Sequence, residues 1–233
     1  MLALVLAQLL ALAPAPPPQA GAPRAYRPEF ENARVRVTRV RYAPREKIES
    51  HDHPENPTVY VYLRDSGPVR FTHTGEEQFT LTRPAVRAGG FRLSRGAKET
   101  HSVESLTDQP TEFLRVEFKG LDLTRMYFRG RFPPESRAAR RRSAQKVRHE
   151  DTNIRITRVT CAARKPCAGS GGGADASLLV ALTPSRLRSG QVETTLELGQ
   201  TVWSEAGAGP AFTNDSDRPA EFLRIDLKAG AGR

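Results

Sequence analysis

The sequence predicts an all-β protein made of one module written twice. Two observations carry this. Strand formers (Val, Thr, Phe, Tyr, Leu) recur in short runs separated by Gly, Pro and Asp, and no 3.6-residue period stands out beyond one basic segment. In addition, blocks of sequence return in the same order. Asn32–Val40 resembles Asp151–Val159 at an offset of 119, and Glu112–Lys119 resembles Glu221–Lys228 at an offset of 109. Between them, Val59–Leu63 corresponds to Leu178–Leu182 and Ala88–Leu93 to Leu198–Trp203. A chain of 233 residues has room for two small domains of this kind.

Taken in order, the chain opens with an apolar run, Leu2–Ala13, too short to span a bilayer as a helix. Ala13-Pro14-Ala15, a Pro-rich spacer and Ala20-Gly21-Ala22 follow, so residues 1–22 read as a secretory signal peptide, although no Lys or Arg precedes the run. The expected localisation is secreted or periplasmic, with no transmembrane span after the leader. Residues 23–29 read as a leader to the first barrel, 30–119 as barrel one, 120–149 as a basic, partly helical linker, and 150–229 as barrel two.

Within the first module Arg34–Val40 alternates Val35 and Val37 with arginines, as a strand with one wet face does. Val69–Thr72 and Gln78–Thr82 flank His73-Thr74-Gly75-Glu76, which reads as a hairpin tip with His73 on the surface. Tyr60 and Tyr62 share one strand face and Val59, Val61 and Leu63 the other; one set lines a barrel interior. Cys161 and Cys167, closely spaced in an exported chain, predict one disulfide closing a short loop.

The formal net charge is +10. Much of it lies between Thr124 and Arg148, where nine Lys and Arg stand against Glu135 alone. Export and the lack of interleaved aromatics argue against nucleic acid. The tract reads as a solvated helix crossing the outside of the barrels, with a weak contact to an anionic envelope surface as the alternative.

Three of the five histidines fall in two places. In Ile48-Glu49-Ser50-His51-Asp52-His53-Pro54, strand alternation puts His51 and His53 on one face, where two imidazoles can share an ion. The third is His101, in Lys98–Ser105. The order of His-x-His-Pro, a Val/Tyr-rich strand, a hairpin, a Gly-Gly pair and a single His before the last strand resembles the cupin family over roughly residues 30–119. That resemblance implies two tandem cupin-like barrels (double-stranded β-helix, or jelly-roll), a bicupin. It also implies one divalent metal held by His51, His53 and His101. The family's carboxylate ligand is expected where this chain has Pro57 and Thr58, its Pro-x-Gly appears as Ser94-Arg95-Gly96, and its Asn after the single His is Ser105.

Of the nearby carboxylates, alternation places Glu49 on the His51/His53 face and Glu104 opposite His101, while Glu55 lies beyond Pro54. Glu49 is therefore the expected fourth ligand or nearby base. Three neutral imidazoles and an open position suit Fe, Mn, Zn, Ni or Cu without choosing among them. The second module has Ser170, Gly172 and Pro210 at the matching positions, so it should bind no metal. Two function classes stay open: a mononuclear metalloenzyme (a dioxygenase or isomerase of a small organic substrate), and a non-catalytic metal or small-ligand binding module of the cell envelope.

Overall fold

A computed structural model describes residues 24–75, 78–121, 128–134, 142–169, 173–209 and 211–228. The signal-peptide segment and most of the 124–141 tract lie outside them. The chain divides into two compact units, and among the described residues every regular element is a strand.

The first unit runs β1 (Tyr26–Glu31), β2 (Val35–Tyr42), β3 (Lys47–His53), β4 (Thr58–Tyr62), β5 (Val69–Thr74), β6 (Gln78–Arg83), β7 (Phe91–Ser94), β8 (Glu99–Ser105), β9 (Thr111–Phe118) and β10 (Gly130–Phe132). One sheet has the order β1-β2-β9-β4-β7-β10 and the other β3-β8-β5-β6, all antiparallel. Period-2 alternation explains how each sheet presents its apolar face. Val40, Tyr42, Tyr62 and Phe113 of the first pack with Ile48, Val69, Phe71 and Val103 of the second in one core cluster. The tyrosine face of β4 is thus the inner one.

The second unit runs β11 (Ala144–Glu150), β12 (Ile154–Cys161), β13 (Ala176–Ala181), β14 (Ser185–Ser189), β15 (Val192–Leu196), β16 (Thr201–Ser204), β17 (Thr213–Asn214) and β18 (Ala220–Leu227). Its sheets have the orders β11-β12-β18-β13-β16 and β15-β14-β17. The first order parallels β1-β2-β9-β4-β7. Local roles also correspond. Arg39 pairs with Glu112 in one unit and Arg158 with Glu221 in the other. Arg45 and Arg164 both turn at positive φ, at 57° and 56°, and bind Asp108 and Asp217. Gly89 and Gly199 share a φ of 77°, a left-handed turn that favours glycine, and each donates its N–H to the carbonyl of the last residue of a strand, Tyr62 of β4 and Ala181 of β13.

The units differ where the first has β3. In the second, among the described residues, the bridge in that place joins Pro166 to Thr213, and the Cys161–Cys167 disulfide closes the chain beside it.

Two expectations change. Residues 26–29, expected as a leader, belong to β1 and pair with β2. Residues 120–149, expected as a partly helical linker, are strand wherever they are regular and described: β10 extends the first unit's sheet, and most of β11 lies on the second's edge. The β11 charges alternate along an exposed edge strand, a common way to keep an edge from pairing with another chain. His149, expected in the linker, sits in β11 and pairs with Asp151 at 2.8 Å.

Candidate metal centre

Antiparallel register assembles the histidines. His51 on β3 lies opposite His101 on β8, and His101 lies opposite His73 on β5, whose other neighbour is Phe79 on β6. One row thus crosses the four-stranded sheet. His53 joins from two residues along β3. The His51, His53 and His101 ring centroids are 4.7–5.1 Å apart, and their ligand atoms fall within 4.8 Å of one another.

Glu49 does not take the place expected of it. A bulge breaks the β3–β8 register between Ile48 and His51, so alternation fails there and the Glu49 side chain is exposed. Its backbone carbonyl serves instead, accepting a 2.8 Å bond from Nδ1 of His51. That fixes the tautomer and leaves Nε2 with a lone pair, which meets the Tyr26 hydroxyl at 3.1 Å. The carboxylate near the cluster is Glu99, two residues before His101 on the same strand face. Its Oε2 lies 3.3 Å from Nδ1 of His101, and that contact holds the Glu99 carboxyl below its usual range. Both ring nitrogens of His101 are buried with no hydrogen-bond partner among the described residues, so Glu99 acts on the ring by proximity. Metal-bound histidines characteristically give their second ring N–H to a carbonyl or carboxylate; His51 is set this way, and His101 has the Glu99 carboxylate within 3.3 Å of Nδ1.

His53 differs. Arg115, on the neighbouring sheet, donates to its Nδ1 through a very short contact. Burial, then the charge of Arg115, pushes the His53 pKa down to about 2, and burial also lowers His51. Both rings are neutral at physiological pH, as ligation requires. The three residues thus fit a divalent ion, with Arg115 competing for His53.

His73, expected on the surface, is 7% exposed. β5 runs on through Thr74, so His73 continues the inward series Val69, Phe71 and stacks on Phe79 at 4.2 Å. With Glu99 and His101 it forms a second group able to hold a metal. The inward Val69-Phe71-His73 alternation is the signal that marks it. No described group of this kind lies in the second unit.

Around the cluster the wall is aromatic and electropositive. A small cavity is lined by Tyr26, Tyr42, Tyr60, Phe71 and Phe113 together with Arg83 and Arg115. Burial raises Tyr42 well above its ordinary pKa and Tyr26 to about 12. Burial also acts to raise Tyr60, but Arg115, Arg92 and Arg83 outweigh it and the phenol ends below its ordinary value. Gly96, in the loop before β8, has φ +85°, and a Cβ there would lie 2.3 Å from the Asn56 carbonyl oxygen.

No family model and no curated protein matches the chain. Solved structures do. AerE from Microcystis aeruginosa aligns with a TM-score of 0.66 at 14% identity, over 93% of this chain and 98% of that one. A cupin 2 conserved barrel domain protein from Leptotrichia buccalis aligns at 0.53 and 12%, over 87% and 88%. Salicylate 1,2-dioxygenase from Pseudoaminobacter salicylatoxidans, in a mutant form, aligns at 0.52 and 12%, over 84% and 70%. With strand order, register and these alignments in agreement, the chain is an all-β protein with the cupin fold.

Proposed function

We infer that the first unit is a mononuclear metal centre acting on a small organic substrate, with His51, His53 and His101 as protein ligands. The observation that carries this is the convergence of three imidazoles: the ligand atoms of His51, His53 and His101 lie within 4.8 Å of one another, with His51 Nδ1 committed to the Glu49 carbonyl and both His101 ring nitrogens without a hydrogen-bond partner among the described residues. A divalent Fe, Mn, Zn, Ni or Cu ion held there would supply Lewis acidity, and iron or copper would add oxygen chemistry. The chain's own residues do the rest. The Tyr26 hydroxyl meets His51 Nε2 and would yield that lone pair to an ion, Glu99 lies 3.3 Å from His101, and Tyr42, Phe71 and Phe113 keep water from the inner wall. A reaction of dioxygenase or isomerase type fits such a site, and one structure of the same fold is named a salicylate dioxygenase. The wider reading is of an exported bicupin whose second unit is structural, with its basic segment near an anionic envelope surface.

One observation favours a second reading, a non-catalytic small-ligand module: the Arg115 contact with His53 opposes a full set of ligands. Elemental analysis decides first. Protein stripped with chelator and reloaded should hold one equivalent of divalent metal, and a His51→Ala/His53→Ala double variant none. A retained equivalent in that variant removes the assignment. Oxygen-uptake screening of the loaded protein then tests the dioxygenase form, and a product screen without oxygen tests the isomerase form; activity in neither leaves the binding module.

A further inference from the structure

A cavity of about 260 Å³ in the first unit shares Arg83 with the small cavity at the histidines. Four arginines line it, Arg83, Arg87, Arg92 and Arg131, with no Asp or Glu among its described lining residues. Its apolar wall includes Tyr62 and Phe132.

The register explains the charge. β10 sets Arg131 directly opposite Arg92 on β7; Arg92 lies opposite Tyr60 on β4, and Tyr60 opposite Arg115 on β9. Three arginines therefore share one row of the sheet. Like charges facing each other on adjacent strands are destabilising. Arg92 lies over the Tyr60 ring at 4.0 Å, but its Nε and Nη2 are buried without hydrogen-bond partners among the described residues. Arg83 comes from the other sheet and lies over Phe71 at 4.2 Å, with no ion pair among the described residues. Buried guanidinium donors without an acceptor are costly, and their fork geometry matches a carboxylate.

We propose that this cavity binds an organic carboxylate with a ring-sized apolar body, the carboxylate taken by Arg92 and Arg83 and the body lying against Tyr62 and Phe132. The size fits, since about 150 Å³ is enough for benzene. Arg83 also lines the small cavity with His53 and His101, so the bound anion would sit next to the histidines. The proposal stands on the arginines and holds with or without a metal.

The test is titration calorimetry on the full chain, stripped of metal, with benzoate, its neutral amide benzamide, and inorganic phosphate as probes. Benzoate should bind at least tenfold more tightly than either of the others. Arg92→Gln should weaken benzoate at least tenfold, and Arg27→Gln, at an exposed position on β1, should leave it unchanged. Should Arg92→Gln not fold, Arg131→Gln on the exposed edge strand should still weaken benzoate about threefold. The His51→Ala/His53→Ala variant should bind benzoate as the parent does. Equal binding of benzamide, equal binding of phosphate, no binding, or insensitivity to both arginine variants overturns the proposal. Loss of benzoate binding in the histidine variant also overturns it, by placing the anion on the imidazoles instead of the arginines, and leaves the metal reading, which rests on metal content, intact.

Discussion

His73 and His101 are register partners across β5 and β8, with ring centroids 5.1 Å apart. His101 therefore stands between two sets of potential ligands, His51 and His53 on one side and His73 and Glu99 on the other. Substitution separates them. If the ion sits with His51 and His53, Glu99→Gln loses only an orienting carboxylate and should weaken metal binding about 10- to 100-fold. His73→Ala should then change it less than about threefold. The reverse pattern, with His73→Ala abolishing binding and His51→Ala sparing it, would move the centre to the other side. Competition titration against a chromophoric chelator measures both.

Arg115 should act against metal affinity. Its guanidinium donates to Nδ1 of His53, and a neutral ring that accepts there carries its proton on Nε2. Its positive charge also repels a cation, a term of roughly 4 kcal/mol per unit charge pair at 4 Å near a protein surface, before screening. Arg115→Met should therefore bind a divalent ion at least tenfold more tightly. The same variant should melt earlier, because Glu117, buried and 3.3 Å from Arg115, loses its partner. Unchanged affinity would mean that Arg115 moves away freely.

Much of this is legible in the sequence. The strand runs, the duplicated blocks and the three histidines follow from residue type and period 2, and the structure brings those histidines together. What escapes depends on pairing. Alternation misplaces Glu49 because a bulge is invisible in the pattern it breaks. It misplaces His73 because a Gly near the turn suggests an earlier end to β5. Arg115 and Tyr26 reach the site only through sheet-to-sheet packing, and Arg83 only through the pairing of β6 with β5; nothing local marks them. The described end of the basic segment, from Ala144 on, looks helical as long as its charge repetition has no pairing partner, and β12 supplies one.

The Cys161–Cys167 disulfide stands where the first unit has the start of β3. A loop with a sequence separation of 6 gives it a modest role, about 2 kcal/mol in the chain-entropy view. A Cys161→Ala/Cys167→Ala variant should lower the second unit's stability in urea by that amount and leave metal content unchanged. Loss of metal in this variant would contradict the confinement of the site to the first unit.

Glu112 should set the acid limit of the first unit. Its carboxylate is buried and accepts from Arg39 at 2.6 Å, Arg41 at 3.0 Å and Arg64 at 2.9 Å. Burial alone would raise its pKa; the bonds from Arg64, Arg39 and Arg41 overcome this and bring it from 4.5 to about 2. The folded state thus holds the charged form more strongly than the unfolded chain does. The resulting stability, about 3 kcal/mol from the size of that shift, is complete above pH 4.5 and is lost as the pH falls from there to about 2. Glu112→Gln removes the titrating group and leaves Arg39 with Glu29 alone among these acids. In urea titrations the variant should be less stable than the parent by about 3 kcal/mol at pH 7, with the gap closing below pH 4.5. A gap of the same size at pH 3 and pH 7 would show that the loss comes from packing and not from charge.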